Sequence, residues 1–487
     1  MDLNIRAIVR VIGLLMVLTA CCMMLPLLVG FYYGELDSVK AFLSVIIPAF
    51  ALGSSLVMVI KAPRGKLKNR DGYIIVALCW LFMSLIGALP FVIQGCIPSY
   101  ADAFFETCSG FSTTGSTIIP DLTVIPQSML FWRSFTHWVG GMGILVLAVA
   151  LLPALGISGQ LIASNESPGP TFSKTTAKVS DMAKSLYLIY TVFTVVEIVL
   201  LMFGGMSLFD AAVQTFGTVG TGGFSNYGDS IAHFHSPYCE WVITIFMIAS
   251  GANFNLYYFA VTKSIRTIWQ DSEFRLYIYI ISAFSLLIAL DLVVTGTVSD
   301  ISDSIRAGFF QVASIITTTG FATTDFDLWP TFCKMMLFAL FFIGGCSSST
   351  GGGIKVCRVL VLLKLIKRNI TTKLHPNVLY NIKVDGKIVD SEVIQGITSF
   401  TFLYIVCFFV VSLLISVDGF DIVTTLSAAG TCLGNIGPGF AKVGPVLNFA
   451  AFSDFSKWIL SFTMIAGRLE LFTLFMLFSR RFWNPYH

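Results

Sequence analysis

The sequence predicts an all-α polytopic membrane protein with four tandem repeats of span, pore helix and span around a central pore, plus two N-terminal spans. Three observations predict this fold class. Hydrophobic residues make up 56% of the 487 residues and charged residues only 12%, a balance unlike that of a soluble domain. Apolar stretches long enough to cross a bilayer recur along the whole chain, and a short glycine-containing motif occurs four times.

Ten apolar stretches reach the length of about 20 residues that a helix needs to cross a membrane. They are residues 11–34, 41–60, 72–94, 129–155, 182–204, 238–264, 275–297, 331–363, 395–417 and 456–480. Residues 61–70 contain five basic residues and no acid, and basic loops face the cytoplasm. Counting spans outward from that loop, we expect both termini to be cytoplasmic.

Four segments of the chain share a glycine that follows a short helix-like stretch. They read STTGST, TVGTGG, TTTGFA and TCLGNI, with the aligned glycines at Gly115, Gly220, Gly320 and Gly434. Successive glycines are 105, 100 and 114 residues apart, and the preceding stretches are residues 101–112, 208–217, 304–316 and 420–430. These stretches are too short to cross a bilayer, so we expect re-entrant helices.

The repeats divide the chain into five predicted parts. Residues 1–70 form two additional N-terminal helices, residues 71–181 repeat 1, residues 182–274 repeat 2, residues 275–394 repeat 3 and residues 395–487 repeat 4. Non-helical backbone at membrane depth is tolerated only inside protein or beside a water-filled cavity. Four copies therefore predict a ring about a pore, with the negative ends of the helix dipoles favouring cations.

Backbone carbonyls are the chemistry that the four segments have in common, because no carboxylate, histidine or thiolate recurs in them. Rings of carbonyls replace the hydration shell of K⁺ in channels whose loops read TVGYG, and the second segment reads TVGTG. The candidate filter residues are Thr113, Thr114, Gly115, Thr218, Val219, Gly220, Thr318, Thr319, Gly320, Cys432, Leu433 and Gly434, flanked by Ser116, Thr221, Phe321 and Asn435.

Two further features lie in the last spans of repeats 3 and 4. Residues 344–355 read GGCSSSTGGGIK, a composition that disfavours a continuous helix, although small residues can also form a helix-packing surface. Arg468 stands in an apolar span, where an arginine costs at least about 2.5–3.5 kcal/mol and faces the protein interior or water. A structural ion pair of Arg468 with Glu470 or Glu197 is the alternative.

His137, beside Trp138, is expected at the membrane interface.

On these motifs the chain resembles the Trk/Ktr/HKT superfamily of potassium uptake proteins over essentially its whole length, most closely the bacterial TrkH and TrkG branch. In the HKT branch, serine at the position of Gly115 goes with sodium preference, whereas this chain has glycine there. The resemblance therefore implies K⁺ selectivity, with Rb⁺ also accepted. It also implies that the glycine-rich stretch of repeat 3 is an intramembrane gating loop and that the arginine is part of the gate. The candidate gate residues are Gly344, Gly345, Cys346, Ser347, Ser348, Ser349, Thr350, Gly351, Gly352, Gly353 and Arg468.

Partners and location follow from the same resemblance. It implies a multi-pass protein of the bacterial cell inner membrane, surrounded by lipid, that forms a homodimer and binds a cytosolic TrkA-like NAD/ATP-binding regulatory subunit. K⁺, bound through the filter residues only, is the expected ion, with no organic cofactor and no nucleic-acid partner. The alternative is a Na⁺-permeable or proton-coupled symporter of the same superfamily. An intramembrane enzyme is disfavoured because HExxH and GxGD are missing from the sequence.

Overall fold

The computed structural model describes residues 4–60, 69–143, 179–262, 264–378 and 380–483, and these are mostly helical. The chain begins with two packed helices, α1 (Ile5–Tyr33) and α2 (Leu36–Val59). They approach closely where Gly13 faces Gly53, because a Cβ atom on Gly53 would lie 2.6 Å from the carbonyl oxygen of Gly13. Small residues at such a crossing let membrane helices pack backbone to backbone.

The described part of the remaining chain repeats one order of elements: a long helix, a half-length helix and then the helix or helices of the second span. Repeat 1 contains α3 (Asn69–Gln94), α4 (Tyr100–Phe111) and α5 (Gln127–Gly141). Repeat 2 contains α6 (Val179–Phe203), α7 (Leu208–Val219), α8 (Pro237–Gly251) and α9 (Phe254–Thr262), followed by the short α10 (Arg266–Gln270). Repeat 3 contains α11 (Ser272–Val294), α12 (Ile301–Ile316), α13 (Thr331–Leu340) and α14 (Val356–Leu374). Repeat 4 contains α15 (Ser391–Ile415), α16 (Ile422–Gly434), α17 (Asp454–Arg468) and α18 (Phe472–Phe475), before the terminal α19 (Arg480–Trp483).

The four half-length helices, α4, α7, α12 and α16, lie within a few residues of the short helices predicted from the sequence. Each begins at a capping side chain that accepts a hydrogen bond from the first turn: Ser99, Ser207, Asp300 and Asp421. These are favoured N-cap residues. With 12 to 16 residues, these helices are too short to cross a bilayer.

The second spans are less regular than the sequence predicts. Six helices of the described ranges are long and apolar enough to cross a membrane, or up to eight if each bent pair is one span. The predicted spans at 238–264 and 456–480 are such bent pairs, with bends of 88° and 112°. In the second pair, Glu470 and Leu471 adopt positive φ angles of 55° and 58°, which ends the helix.

Two other predicted spans are only partly helical or only partly described. The span at 331–363 is divided into α13 and α14 by a non-helical loop, as its glycine and serine content predicts. The span at 129–155 begins as α5, but its second half lies outside the described residues, as do residues 61–68 of the basic loop. A small hairpin near the end of repeat 3, β1 (Lys383–Val384) paired with β2 (Lys387–Ile388), has no counterpart in the sequence-based prediction.

Candidate ion-conduction site

The four half-length helices end in segments with the same backbone conformation. In each, a residue with left-handed φ is followed two positions later by a glycine with positive φ. The pairs are Thr113 and Gly115, Thr221 and Gly223, Thr318 and Gly320, and Asn435 and Gly437. The residue between them donates its N–H to the carbonyl five residues earlier, in the bonds Thr114 to Ser109, Gly222 to Gly217, Thr319 to Ser314 and Ile436 to Thr431, at 2.8–2.9 Å. The four segments are therefore structurally equivalent.

These segments close a ring, because each glycine abuts a carbonyl of the next segment. A Cβ atom on Gly115 would lie 2.0 Å from the carbonyl oxygen of Gly222. The corresponding distances are 2.0 Å from Gly223 to Thr319, 2.1 Å from Gly320 to Ile436 and 2.6 Å from Gly437 back to Thr114. A side chain is excluded at all four positions by this contact and by the positive φ. The same four glycines line one cavity beside the ring.

The ring corrects the sequence alignment in repeats 2 and 4 by three residues. Gly220 is the C-cap of α7 and Gly434 is the last residue of α16, so the positions equivalent to Gly115 are Gly223 and Gly437. Accordingly, Thr218, Val219, Cys432 and Leu433 lie in the last turns of these helices. Thr221 and Asn435, expected to flank the filter, occupy the left-handed position of Thr113. The alignment on TVG and CLG failed because helical glycines were matched to non-helical ones.

Repeats 1 and 3 keep the predicted register. Thr113, Thr114 and Gly115, and Thr318, Thr319 and Gly320, lie in the ring segments. Ser116, which flanks the first segment, donates its hydroxyl to the carbonyl of Gly437 at 3.1 Å, and Phe321 is fully buried. In the part of the chain that the structure describes, no group of three or more His, Cys, Asp or Glu side chains could hold a metal ion.

The loop between α13 and α14 lies directly against the ring. Its ends are joined by the N–H of Gly344, which donates to the carbonyl of Ile354 at 2.8 Å. The N–H of Gly352 donates to the hydroxyl of Thr318 at 2.7 Å, and a Cβ atom on Gly352 would lie 2.5 Å from the carbonyl oxygen of Gly434. Thr350 donates its hydroxyl to the carbonyl of Ser250 at 3.2 Å. The loop thus contacts repeats 2 and 4 and the ring segment of repeat 3.

One carboxylate ties this loop to the first turn of α14, and the sequence-based prediction missed it. Glu273 in the first turn of α11 accepts hydrogen bonds from the N–H of Ser347 at 2.6 Å and the N–H of Cys357 at 3.0 Å. The hydroxyl of Ser347 donates to the same oxygen at 3.0 Å. An acid at the start of an apolar span is the signal that could have found it, since membrane-embedded acids usually have a specific partner. Within the loop, the ammonium of Lys355 donates to the carbonyl of Gly351.

Arg468 joins the loop to the ring from repeat 4. Its guanidinium donates to the carbonyl of Thr350 in the loop and to the hydroxyl of Thr113, the latter at 3.3 Å. It also donates to the carbonyls of Gly140 and Gly141 at the end of α5, at 2.7 and 2.8 Å. Glu470, one of the acids considered as its ion-pair partner, pairs instead with Arg358.

The sequence suggested that His137 lies at the membrane interface. In the structure it is buried against the first two ring segments instead. Its Nδ1 lies 2.7 Å from the carbonyl oxygen of Gly110, and its ring packs against Phe224 with centroids 4.2 Å apart. A Cβ atom on Gly222 would lie 2.2 Å from the imidazole. The prediction relied on the neighbouring Trp138, but α5 turns this face toward the second ring segment.

With this geometry established, comparison with known proteins identifies the family. A family model described as TrkH, a cation transport protein, matches residues 38–484. The chain belongs to the TrkH family. This family consists of cation transporters, and cation transport proteins are not an enzyme class. Membership confirms the resemblance seen in the sequence and the predicted all-α polytopic membrane fold.

Individual TrkH-family relatives match this chain along its whole length. It is 38% identical over 485 residues to the Trk system potassium uptake protein TrkH of Escherichia coli K12, covering 99% of this chain and 100% of the relative. It is 34% identical to the TrkG protein of the same strain, covering 99% of each. The crystal structure of the potassium transporter TrkH from Vibrio parahaemolyticus superposes with a TM-score of 0.89 at 36% identity, covering 99% of this chain and 100% of that one.

Proposed function

We propose that this chain is the K⁺-conducting transmembrane subunit of a Trk-type potassium uptake system in the bacterial inner membrane. The observation that carries the proposal is the closed ring of four glycine-containing segments, which needs no side-chain ligand. The names of its relatives, potassium uptake proteins of a Trk system, support K⁺ as the transported ion. The proposed filter is the corrected set, residues 113–115, 221–223, 318–320 and 435–437.

Selection in this proposal depends on backbone carbonyls. Such oxygens replace the water shell of a partly dehydrated K⁺ or Rb⁺, and the carboxyl ends of four half-length helices supply favourable dipoles nearby. The close glycine-to-carbonyl contacts keep the segments from moving inward independently of one another. A smaller Na⁺ would therefore lack a matching set of oxygens unless the ring deforms.

Control of flux is assigned to the glycine-rich loop and Arg468. The loop is a steric barrier because it packs on the ring, and the guanidinium is an electrostatic one. A unit positive charge about 4 Å from a cation raises its energy by about 4 kcal/mol at an effective dielectric of about 20. A cytosolic TrkA-like NAD/ATP-binding subunit releases these barriers in this proposal, and the chain assembles as a homodimer. The term "Trk system" in the relatives' names supports a multicomponent assembly.

The test is cation flux through the purified chain in proteoliposomes. We expect K⁺ and Rb⁺ flux to exceed Na⁺ flux, and we expect it to persist without a proton gradient. Gly320→Ala should abolish the preference, because its Cβ atom would lie 2.1 Å from the carbonyl oxygen of Ile436. Gly396→Ala, where nothing lies within 4 Å, is the matched control. Equal K⁺ and Na⁺ flux, or flux only with a proton gradient, would favour the symporter alternative.

Regulation is tested separately in the same vesicles. The sequence has no GxxxxGK[ST] nucleotide-binding motif, so ATP, ADP or NAD should change K⁺ flux only when the cytosolic subunit is added. A nucleotide response of the purified chain alone would contradict the assignment of regulation to a separate subunit.

A further inference from the structure

A buried ion pair lies beside the ring and contacts the residues that follow its first and second segments. The Nε atom of Arg133 in α5 lies 2.5 Å from Oε1 of Glu106 in α4, and both side chains are at most 3% exposed. Neither residue was among those singled out in the sequence. Arg133 also lines the cavity beside the ring that the four ring glycines line.

The Glu106 carboxylate holds the chain that continues from the first ring segment. Its Oε1 accepts a hydrogen bond from the hydroxyl of Thr117 at 2.9 Å, and its Oε2 accepts one from the N–H of Ile118 at 2.9 Å. These residues are two and three positions beyond Gly115. The carboxylate therefore fixes where this segment leaves the ring.

The Arg133 guanidinium holds the chain that continues from the second segment. Its Nη1 donates to the carbonyl of Ser225 at 2.8 Å, and its central carbon lies 3.5 Å from the centroid of the Phe224 ring. These residues directly follow Gly223. A single ion pair thus connects the continuations of two neighbouring segments. These segments approach so closely that a Cβ atom on Gly115 would lie 2.0 Å from the carbonyl oxygen of Gly222.

The other repeats have no charged residue at the position of Glu106. The positions equivalent to Glu106, nine residues before the ring glycine, are Gln214, Gln311 and Ala428. Gln214 donates to Ser225 and Asn226 at 2.9 and 2.8 Å, and Gln311 donates to the carbonyl of Phe321 at 3.4 Å. Each amide contacts only its own repeat. Because burying a charge pair is often no more stabilising than neutral packing, stability alone does not account for the arginine.

We infer that Arg133, held in place by Glu106, is a positioning residue for ion selectivity that fixes the first and second ring segments relative to each other. The inference rests on the proposed function. Its physical basis is that the planar guanidinium binds a carboxylate and a carbonyl in fixed directions at once. If the guanidinium is removed, each segment can move separately, and the spacing of the carbonyls near Gly115 and Gly222 changes.

The test compares K⁺ and Na⁺ flux in proteoliposomes for two variants. Glu106→Gln combined with Arg133→Met makes the site neutral, as it is in repeats 2 and 3, and removes the contact with Ser225. We expect the K⁺ to Na⁺ flux ratio to fall about tenfold, the effect of losing one or two hydrogen bonds that position the filter. Arg133→Lys keeps the charge but cannot make both contacts, so we expect an intermediate ratio.

A second, partly buried ion pair provides the matched control. Nε of Arg306 in α12 lies 2.7 Å from Oε2 of Glu240 in α8, so this pair also joins two repeats. Glu240→Gln combined with Arg306→Met should lower the melting temperature without changing the flux ratio. The inference is overturned if Arg133→Lys or the neutral double variant, once folded, keeps the wild-type ratio, or if the control shifts it equally. A wild-type chain with no K⁺ preference would refute the proposed function itself.

Discussion

A single methyl group at Gly437 tests both the ring and its corrected register. Gly437 has φ of 102°, a conformation that L-residues rarely adopt and that costs of order 1–3 kcal/mol for a non-glycine residue. The added Cβ would also lie 2.6 Å from the carbonyl oxygen of Thr114. Ordinary van der Waals contact requires roughly 3.5 Å. Gly437→Ala therefore forces either the fourth segment or the carbonyl of the first segment to move.

The expected size of the effect follows from the strain. If 1–3 kcal/mol is relieved only when the segments leave the selective geometry, the equilibrium shifts by about 5- to 150-fold. We expect the K⁺ to Na⁺ flux ratio in proteoliposomes to decrease by a factor in that range. The melting temperature of the purified protein, measured in parallel, separates this local change from general unfolding.

Gly434→Ala is the decisive comparison, because sequence alignment alone assigns that glycine to the filter. Gly434 ends α16, its φ is not positive, and the nearest atoms to an added Cβ are 3.0 Å away. We expect its flux ratio to stay close to that of the wild type and of Gly396→Ala. A larger loss of selectivity in Gly434→Ala than in Gly437→Ala would refute the register derived from the structure.

Three further substitutions test other parts of the site by the same flux assay. Gly115→Ser should raise Na⁺ flux relative to K⁺, because its Cβ would lie 2.0 Å from a ring carbonyl oxygen; an unchanged ratio in folded protein would contradict the filter assignment. Arg468→Ala should raise K⁺ flux severalfold with selectivity intact, and loss of selectivity would instead indicate a structural role. Glu273→Gln should raise flux in the absence of the regulatory subunit by loosening the base of the loop. Glu35→Gln is its control: it removes a carboxylate that binds the first turn of α5 and should leave the flux unchanged.

Local features of the sequence were sufficient for the helices and for the loop. Apolar length predicts the first spans, and capping residues such as Ser99 and Ser207 mark where half-length helices begin. The composition of residues 344–355 correctly indicates a break, because glycine and serine stabilise a helix poorly. These are short-range effects, in which a residue acts on its own backbone or on the next turn.

The register of repeats 2 and 4 depends on backbone conformation instead of residue identity. The shared feature is a residue in the left-handed region two positions before a glycine with positive φ. Asn435 suits that region, so the pair Asn435 and Gly437 carries a usable signal, whereas Thr221 carries a weaker one. Matching on TVG selected Gly220 because a glycine at the end of a helix is indistinguishable by letter from one beyond it.

Contacts between distant parts of the chain could not be predicted at all. Arg468 donates to the carbonyl of Gly140 across 328 residues, and backbone carbonyls leave no mark in a sequence. Glu273 acts through N–H groups of the loop, which are equally invisible. Even the pair of Glu106 and Arg133 required the fold, because neither residue indicates which neighbouring backbone it holds.

The same contacts set how much energy is needed to move the loop off the ring. The bonds of Gly352 to Thr318 and of Thr350 to Ser250 each contribute about 0.5–1.5 kcal/mol, and the charged bond of Arg468 to Thr350 contributes about 1.5–3 kcal/mol. Together they favour the packed loop by roughly 3–6 kcal/mol. Under the proposed function, a regulator that opens the path would therefore have to bind the open form about 10² to 10⁴ times more tightly than the closed form. Because Arg468 supplies about half of this energy, its removal should lower the required differential by about one to two powers of ten.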